Sequence, residues 1–308
     1  MSNALYGWAT HLGVQAALTT GHITAGGIDF QSESLVMKEE IVDTNGLRGT
    51  RARSVERLRN GIQRIGGQIH LQPTPVELAL LLKWCFGGNT SGSPTVTYPL
   101  ADSLQSMFIE IARDNGSFGA DFVYGGAYVD KVTFRGSSGG PLDVLIDVLA
   151  QTETKNAAGT YPSLVLDTTT KPFIVPDDVV VVNSVTYNAQ DFELVVNNHL
   201  EPRFLNSLTA VTIAPKDRSV DLKLTLPWGD ATALYGAGLA SPGGAGLAGS
   251  MTFTVGGSVL TFSWANWAFP RETPSVAGRD EVMYVVKGPL LKSGASTLEL
   301  VTTLNPGP

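Results

Sequence analysis

The chain has 308 residues, a hydrophobic share of 43% and a net charge of −7. That length allows two domains of ordinary size, each able to bury its own core, and the composition fits a soluble globular protein. The acidic balance excludes a sequence-reading or wrapping nucleic-acid binder, which needs a basic surface to release counterions, but not a protein past which nucleic acid must slide.

The N-terminus, MSNALYGWATHLG, lacks a basic stretch ahead of an apolar core, so no secretory signal is expected. No apolar run reaches the ~18 to 20 residues of a membrane helix. Thr74, Pro75 and Glu77 then announce a helix over Pro75–Phe86: a side-chain acceptor, a preset φ and a negative charge at the positive end of the dipole. Gly87-Gly88 ends it. Met107–Ile111 and Phe122–Tyr124 flank Asn115-Gly116, a hairpin signal. Further strands are predicted at Val129–Phe134, Leu142–Leu149, Val179–Val182, Phe192–Val196, Val220–Leu226, Met251–Val255, Leu260–Trp264 and Val282–Val286. A second short helix is predicted over Trp228–Tyr235. Residues 87–101 and 236–249 read as long loops after the two helices, and alternation fails over 151–176, where a boundary is expected.

The chain reads as an internal duplication. Glu40–Leu47 (EIVDTNGL) matches Glu193–Leu200 (ELVVNNHL) at an offset of 153 (193 − 40), and the same offset carries Ile69 and Leu71 onto Leu222 and Leu224. The expected fold is all-β: two tandem β-sandwich domains, each with one short flanking helix. The expected division is an N-terminal arm over 1–27, a first sandwich over 28–160 and a second over 161–308.

No motif supports catalysis. Gly244–Gly249 matches G-x-G-x-x-G, but a strand pattern follows where a dinucleotide site needs a helix. Gly136–Gly140 matches G-x-S-x-G but joins two strand patterns, so it reads as a hairpin turn. The histidines, His11, His22, His70 and His199, show no metal-ligand spacing, and His70 reads as the outward residue of a strand. The single cysteine, Cys85, reads as a buried structural thiol. No cofactor or metal is expected. One charge cluster stands out: Arg48, Arg51, Arg53, Arg57, Arg59 and Arg64, with Glu56 among them. Planar guanidinium groups favour paired, interfacial roles, so contact with another subunit is the preferred reading over a solvated loop or nucleic-acid contact. The matching position in the second half carries Glu201 and Arg203.

The arm through Ser34, the arginine-rich stretch Leu47–Arg64, the run Gly66-Gly67-Gln68-Ile69 leading into Pro75–Leu82, and Phe192–Arg203 together resemble the tail tube (major tail) proteins of bacteriophages with long non-contractile tails. The similarity spans most of the chain. It implies a structural, non-enzymatic virion protein, made in the host cytoplasm. Its strands would contribute to a closed β-barrel around a channel, and its rings would stack into a tube that conducts DNA into the host cell. It further implies tape-measure and tail-terminator partners, double-stranded DNA passing without specific binding, and no membrane. Ring-stacking contacts would fall on Arg48, Arg51, Arg53, Arg57, Arg59, Glu201 and Arg203. With two sandwiches per chain, three subunits would make a ring of pseudo-sixfold symmetry. The competing readings are a carbohydrate-binding or adhesin-like sandwich displaying Trp264 and Trp267, a decoration or tail-terminator protein, and a hydrolase whose site is not legible.

Overall fold

The computed structural model describes residues 7, 10–18, 21–44, 52, 55–90, 92–114, 119–157, 159, 164–237, 246–276, 279–292 and 299–307. It is an all-β sandwich fold with two short helices. In the first half the elements are β1 (His11–Gln15), β2 (Gly27–Ile28), β3 (Ser32–Glu33), β4 (Val36–Asp43), β5 (Leu58–Leu71), α1 (Pro75–Phe86), β6 (Val96–Pro99), β7 (Met107–Asp114), β8 (Gly119–Ser137), β9 (Asp143–Ala150) and β10 (Thr152–Ala157). The second half holds β11 (Asp178–Val182), β12 (Val185–Tyr187), β13 (Asp191–Asn197), β14 (Glu201–Arg203), β15 (Thr212–Ala214), β16 (Ser219–Pro227), α2 (Trp228–Ala237), β17 (Leu247–Val255), β18 (Ser258–Trp267), β19 (Met283–Leu291) and β20 (Val301–Asn305).

One sheet runs through both halves. Its order is β3 and β4 on β5, then β9, β8, β13, β16 and β19, antiparallel throughout. Two further layers back it. In the first half they are β2, β1, β7, β8 and β10. In the second they are β12, β11, β17, β18, β20 and, crossing over from the first half, β6. Strict alternation builds the shared sheet: β9, β13 and β16 bury every second residue, so Val144, Ile146, Phe192, Leu194, Leu222 and Leu224 point into the core. The halves share that core, since Phe134 stacks on Phe86 at 6.1 Å and meets Phe262 of the second half at 4.9 Å. A buried Asn198 fastens the seam between them: its N–H donates to the Asp130 carbonyl at 2.7 Å and its side chain to the Val129 carbonyl at 3.0 Å.

The ladders of the two halves repeat one another. The pairs β1–β7, β7–β8, β8–β10, β3–β5 and β5–β9 recur as β11–β17, β17–β18, β18–β20, β13–β16 and β16–β19. Even a bulge recurs, between Met107 and Ile109 and again between Leu247 and Gly249, 140 residues on. The uniform offset of 153 is corrected, however. Glu33 faces Ile69, which faces Ile146; Phe192 faces Leu224, which faces Val286. The rungs therefore match at offsets of 159, 155 and 140 (192 − 33, 224 − 69, 286 − 146), and the Glu40–Leu47 match lies out of register.

α1 follows its sequence signals closely. Thr74 accepts from the Glu77 N–H at 3.3 Å while Glu77 accepts from the Thr74 N–H at 2.9 Å, and Gly87 closes the helix at φ 85°. Leu78, Leu81, Leu82 and Cys85 are buried, whereas Leu80 is exposed on the opposite face of the helix. Burial pushes the Cys85 thiol up to about 12, in keeping with an inert thiol.

Several strands escaped the sequence reading. The segment read as an arm carries β1, paired along its length with β7, and the stretch read as a boundary carries β10. Phe122–Tyr124 and Val129–Phe134 are parts of one 19-residue strand that bends at Gly126, φ 59°. The Asn115-Gly116 turn lies outside the described residues, although the strands on either side pair as expected.

Candidate functional site

The feature most open to partners is the shared sheet, with its solvent face and its two ends. Residues that alternate with the core point outward. One rung reads Asp143, Arg135, Glu193, Lys223, Lys287 across β9, β8, β13, β16 and β19. Neighbouring rungs add Asp147, Lys131, Asp191 and Asp221, so carboxylates and cations are nearly balanced. They pair across strands: Lys131 with Asp147 at 2.8 Å, Arg135 with Asp143 at 3.7 Å, and His70 with Asp143 at 3.0 Å. Gln68 donates to Asp147 and Gln72 to Asp143. The Asp147 hydrogen bond raises the Lys131 pKa, as an ion pair should. His70 faces outward, as its alternation predicts. The face is a cross-linked, half-exposed mosaic that offers a polyanion no patch of uncompensated positive charge.

At one end of the sheet, β4 and the first half of β5 form a hairpin. Every residue of β4 is exposed, including Ile41 and Val42, and Val55 and Leu58 beyond it are exposed as well. The tip of this ribbon, Ile41–Asp43 with Leu58–Asn60, is exposed throughout and presents apolar side chains to water, the pattern of a surface awaiting a partner. Arg57 lies in the 3-10 turn Val55–Arg57 and Arg59 opposite Val42, both exposed. Arg64 meets Glu40 at 3.3 Å and lies over the Phe204 ring at 5.2 Å. Arg48, Arg51 and Arg53 lie outside the described residues. In the second half, the excursion between β13 and β16 folds as the hairpin β14–β15. It leans on the first half through Gln63 N–H to Leu208 carbonyl at 2.7 Å and Gln151 to the Val211 carbonyl at 2.8 Å. Glu201 there pairs with Lys216 at 2.9 Å, which lowers its pKa, and Arg203 is exposed on the same strand. The structure therefore gives Glu201 a partner within its own chain.

The turn at Gly136–Gly140 joins β8 to β9, and a strand, β17, follows Gly246. Trp264 and Trp267 are buried and meet edge to face at 6.3 Å, which leaves an adhesin-like aromatic platform without its tryptophans. Gly249 is required beneath them, since a Cβ there would fall 2.6 Å from the Trp264 ring. One cluster was missed from sequence. His22, Glu110 and Asp121 bring ligand atoms within 4.8 Å of one another, with His22 Nδ1 at 2.6 Å from Glu110. This donor set suits a divalent cation. Nothing in their spacing, 88 and 11 residues, foretells it, because only the β7–β8 pairing and the turn after β1 bring them together. Among the described residues no helix is long and apolar enough to cross a membrane.

A family model described as phage tail tube protein matches residues 3–297 of the chain. No curated protein matches it.

Proposed function

We propose that this chain, which belongs to the phage tail tube protein family, polymerises as stacked rings into the tail tube of a virion and conducts DNA into the host. The observation that carries this reading is the shared sheet, open along β4 at one end and along Met283–Gly288 of β19 at the other, where only the last residues of β19 pair with β18, and faced with balanced charge. A sheet with open stretches at both edges resists aggregation only when those stretches are covered, and closure of several copies into a barrel covers them. The charged face then lines the lumen. Its acids and bases are nearly equal in number, with Lys131 tied to Asp147 and Arg135 to Asp143, so phosphate meets neither a strong binding patch nor a strong barrier, and DNA passes without specific binding.

The repeated ladders support an origin by internal duplication, with a boundary near residue 160. Each chain then supplies two equivalents to the barrel, and three chains close a ring of pseudo-sixfold symmetry. The β4–β5 hairpin, with Arg48, Arg51, Arg53, Arg57 and Arg59, serves as the stacking contact, and Glu201 and Arg203 on β14 flank it. Such a tube needs a tape-measure protein to set its length and a terminator to cap it. The long, non-contractile tail is the type we assign. No enzymatic step is involved.

Negative-stain microscopy of purified protein, with mass measurement of single rings, tests this reading. Long tubes with three chains per ring are expected, and six chains per ring would refute the trimer. Replacing Arg51, Arg53 and Arg57 with Glu should leave each subunit folded and abolish tubes. Normal tubes from that variant would remove the hairpin from the stacking contact.

A further inference from the structure

On one face of the β7–β8 hairpin, two carboxylates are buried beside an imidazole. Strand pairing puts the carboxylates there. Ala112 faces Asp121 and Glu110 faces Val123, so Glu110 and Asp121 occupy successive rungs on the same face. Arg113 lies on the opposite face, where it holds Glu33. His22 and Ile23 close over the pair from the turn after β1. His22 Nδ1 stands 2.6 Å from Glu110 Oε1, and the Ile23 N–H donates to Oε2 at 2.6 Å. Gly13, opposite Glu110 on β1, leaves room for this cover, since a Cβ there would fall 2.8 Å from Leu164 and 3.0 Å from Ile23.

The charge of this site does not close from the chain alone. Glu110 is 3% exposed and Asp121 is fully buried. Carboxylates held away from water need a counter-charge, and His22 supplies at most one for the two. Residues 16–26 contain neither Lys nor Arg. None stands on this face of β1, β7, β10 or the part of β8 that pairs with β7. One divalent cation, with His22 as a neutral ligand, would balance both carboxylates. A second observation points the same way. Asn156 faces Asp121 from β10, and its side-chain nitrogen is buried with no hydrogen-bond partner among the described residues. A water held on such a cation would be an acceptor for that amide.

We propose that His22, Glu110 and Asp121 bind one divalent transition cation of the zinc type, which fastens the turn after β1 to the β7–β8 hairpin. An imidazole with two carboxylates suits such an ion, whereas calcium takes about six to eight oxygens, more than these residues offer. Zinc holds its ligand atoms about 2.0–2.2 Å away, so tetrahedral neighbours stand about 3.3 Å apart. The three ligand atoms already lie within 4.8 Å of one another. His22 Nδ1 and Glu110 Oε1 need only part slightly as the cation replaces the proton between them, which moves to Nε2 or to solvent. His22, with its side chain 21% exposed, gives the ion its way in.

Calorimetric titration of the chelator-stripped, full-length protein with zinc chloride tests this, and none of the measurements requires tubes. One zinc per chain is expected, in the micromolar range or tighter, with magnesium about a hundredfold weaker. His22→Gln and Asp121→Asn should each lose zinc affinity by about a hundredfold or more. In thermal melts, zinc at about a hundredfold excess over Kd should raise the wild-type Tm by about 4 °C and leave the variants unmoved. If Asp121→Asn does not fold, His22→Gln, at a partly exposed position, decides the matter. A wild type that takes up no zinc, or variants that still bind one per chain as tightly, would overturn the site. Magnesium bound as tightly as zinc would overturn the class of ion. Zinc should also slow amide exchange at Ile23 and Thr24 by about tenfold, and unchanged exchange with zinc bound would overturn the fastening.

Discussion

Two matched positions of the halves are bridged by opposite chemistry. In the first half Arg113 holds Glu33 in a bidentate pair, at 2.9 and 2.7 Å, and also donates to the Tyr124 hydroxyl at 3.0 Å and to the Leu35 carbonyl. In the second half the matched residues are Phe253 and Phe192, whose rings meet at 5.5 Å. Burial alone would lower the Arg113 pKa, but its bonds to Glu33 and Tyr124 outweigh that and hold it above its usual value. A backbone site between two layers needs a bridge of the right size, and an ion pair or an aromatic pair supplies it. The lesson concerns repeats: halves can keep most of their ladders while exchanging the chemistry at a matched rung, so the kinship shows in strand pairing and fades in sequence.

The largest expected effect asks whether the halves are independent. Leu82→Asp places a charge in the shared core beneath α1 and should abolish folding, costing roughly 4 kcal/mol or more. Because Phe134 and Phe262 join the halves, calorimetry should show both lost together; a surviving transition of half the enthalpy would separate them. Leu80→Asp on the same helix should cost under about 1 kcal/mol.

Arg113→Met leaves Glu33 without its main partner and should cost about 3 kcal/mol in denaturant melts. Grafting the second-half chemistry, Glu33→Phe with Arg113→Phe, should return stability to within about 1 kcal/mol of wild type. A double variant as weak as the single one would show that the two sites are not interchangeable.

Asp178 provides a pH-dependent contrast. On β11 it faces Phe253 of β17, one carboxylate oxygen is buried without a hydrogen bond, and burial raises its pKa to about 6 from 3.8. A raised carboxylate pKa means the folded state holds its proton more tightly than the unfolded state. The stabilisation is therefore full below about pH 4 and lost as pH rises through 6. Asp178→Asn should match wild type near pH 4 and exceed it by about 1–3 kcal/mol at pH 7.5. Equal stabilities at both pH values would count against the burial argument. The smallest effect concerns the helices. Thr74→Ala removes a cap that has no side-chain counterpart before α2, and should cost about 1 kcal/mol in a thermal melt.

What the sequence revealed depended on the reach of each signal. α1 was legible because its caps are local: Thr74, Pro75, Glu77 and Gly87 all lie within one helix length. β9, β13 and β16 were legible because one face is buried and the other wet. β1 and β10 were not. β1 is short and buries three successive residues, and β10 is an edge strand with largely exposed side chains, so neither alternates cleanly. The register of the halves was missed because offsets change from strand to strand as loops differ in length. The His22, Glu110 and Asp121 cluster and the Glu33–Arg113 bridge depend on strand pairing across many residues, which a single sequence does not reveal.

β8 sets the molecule's clock. Its first part is paired by β7 and β10 and its second by β9 and β13, so both flanks are closed along almost all its length. Its amides around Val132 and Phe134, fully buried between two ladders, cannot open without parting the two halves of the chain. They should be the last to exchange with solvent, at rates set by global unfolding, whereas those of β4 should exchange through local fraying. The persistence of a wall made from such chains is then governed by the slow opening of one strand at the middle of each subunit.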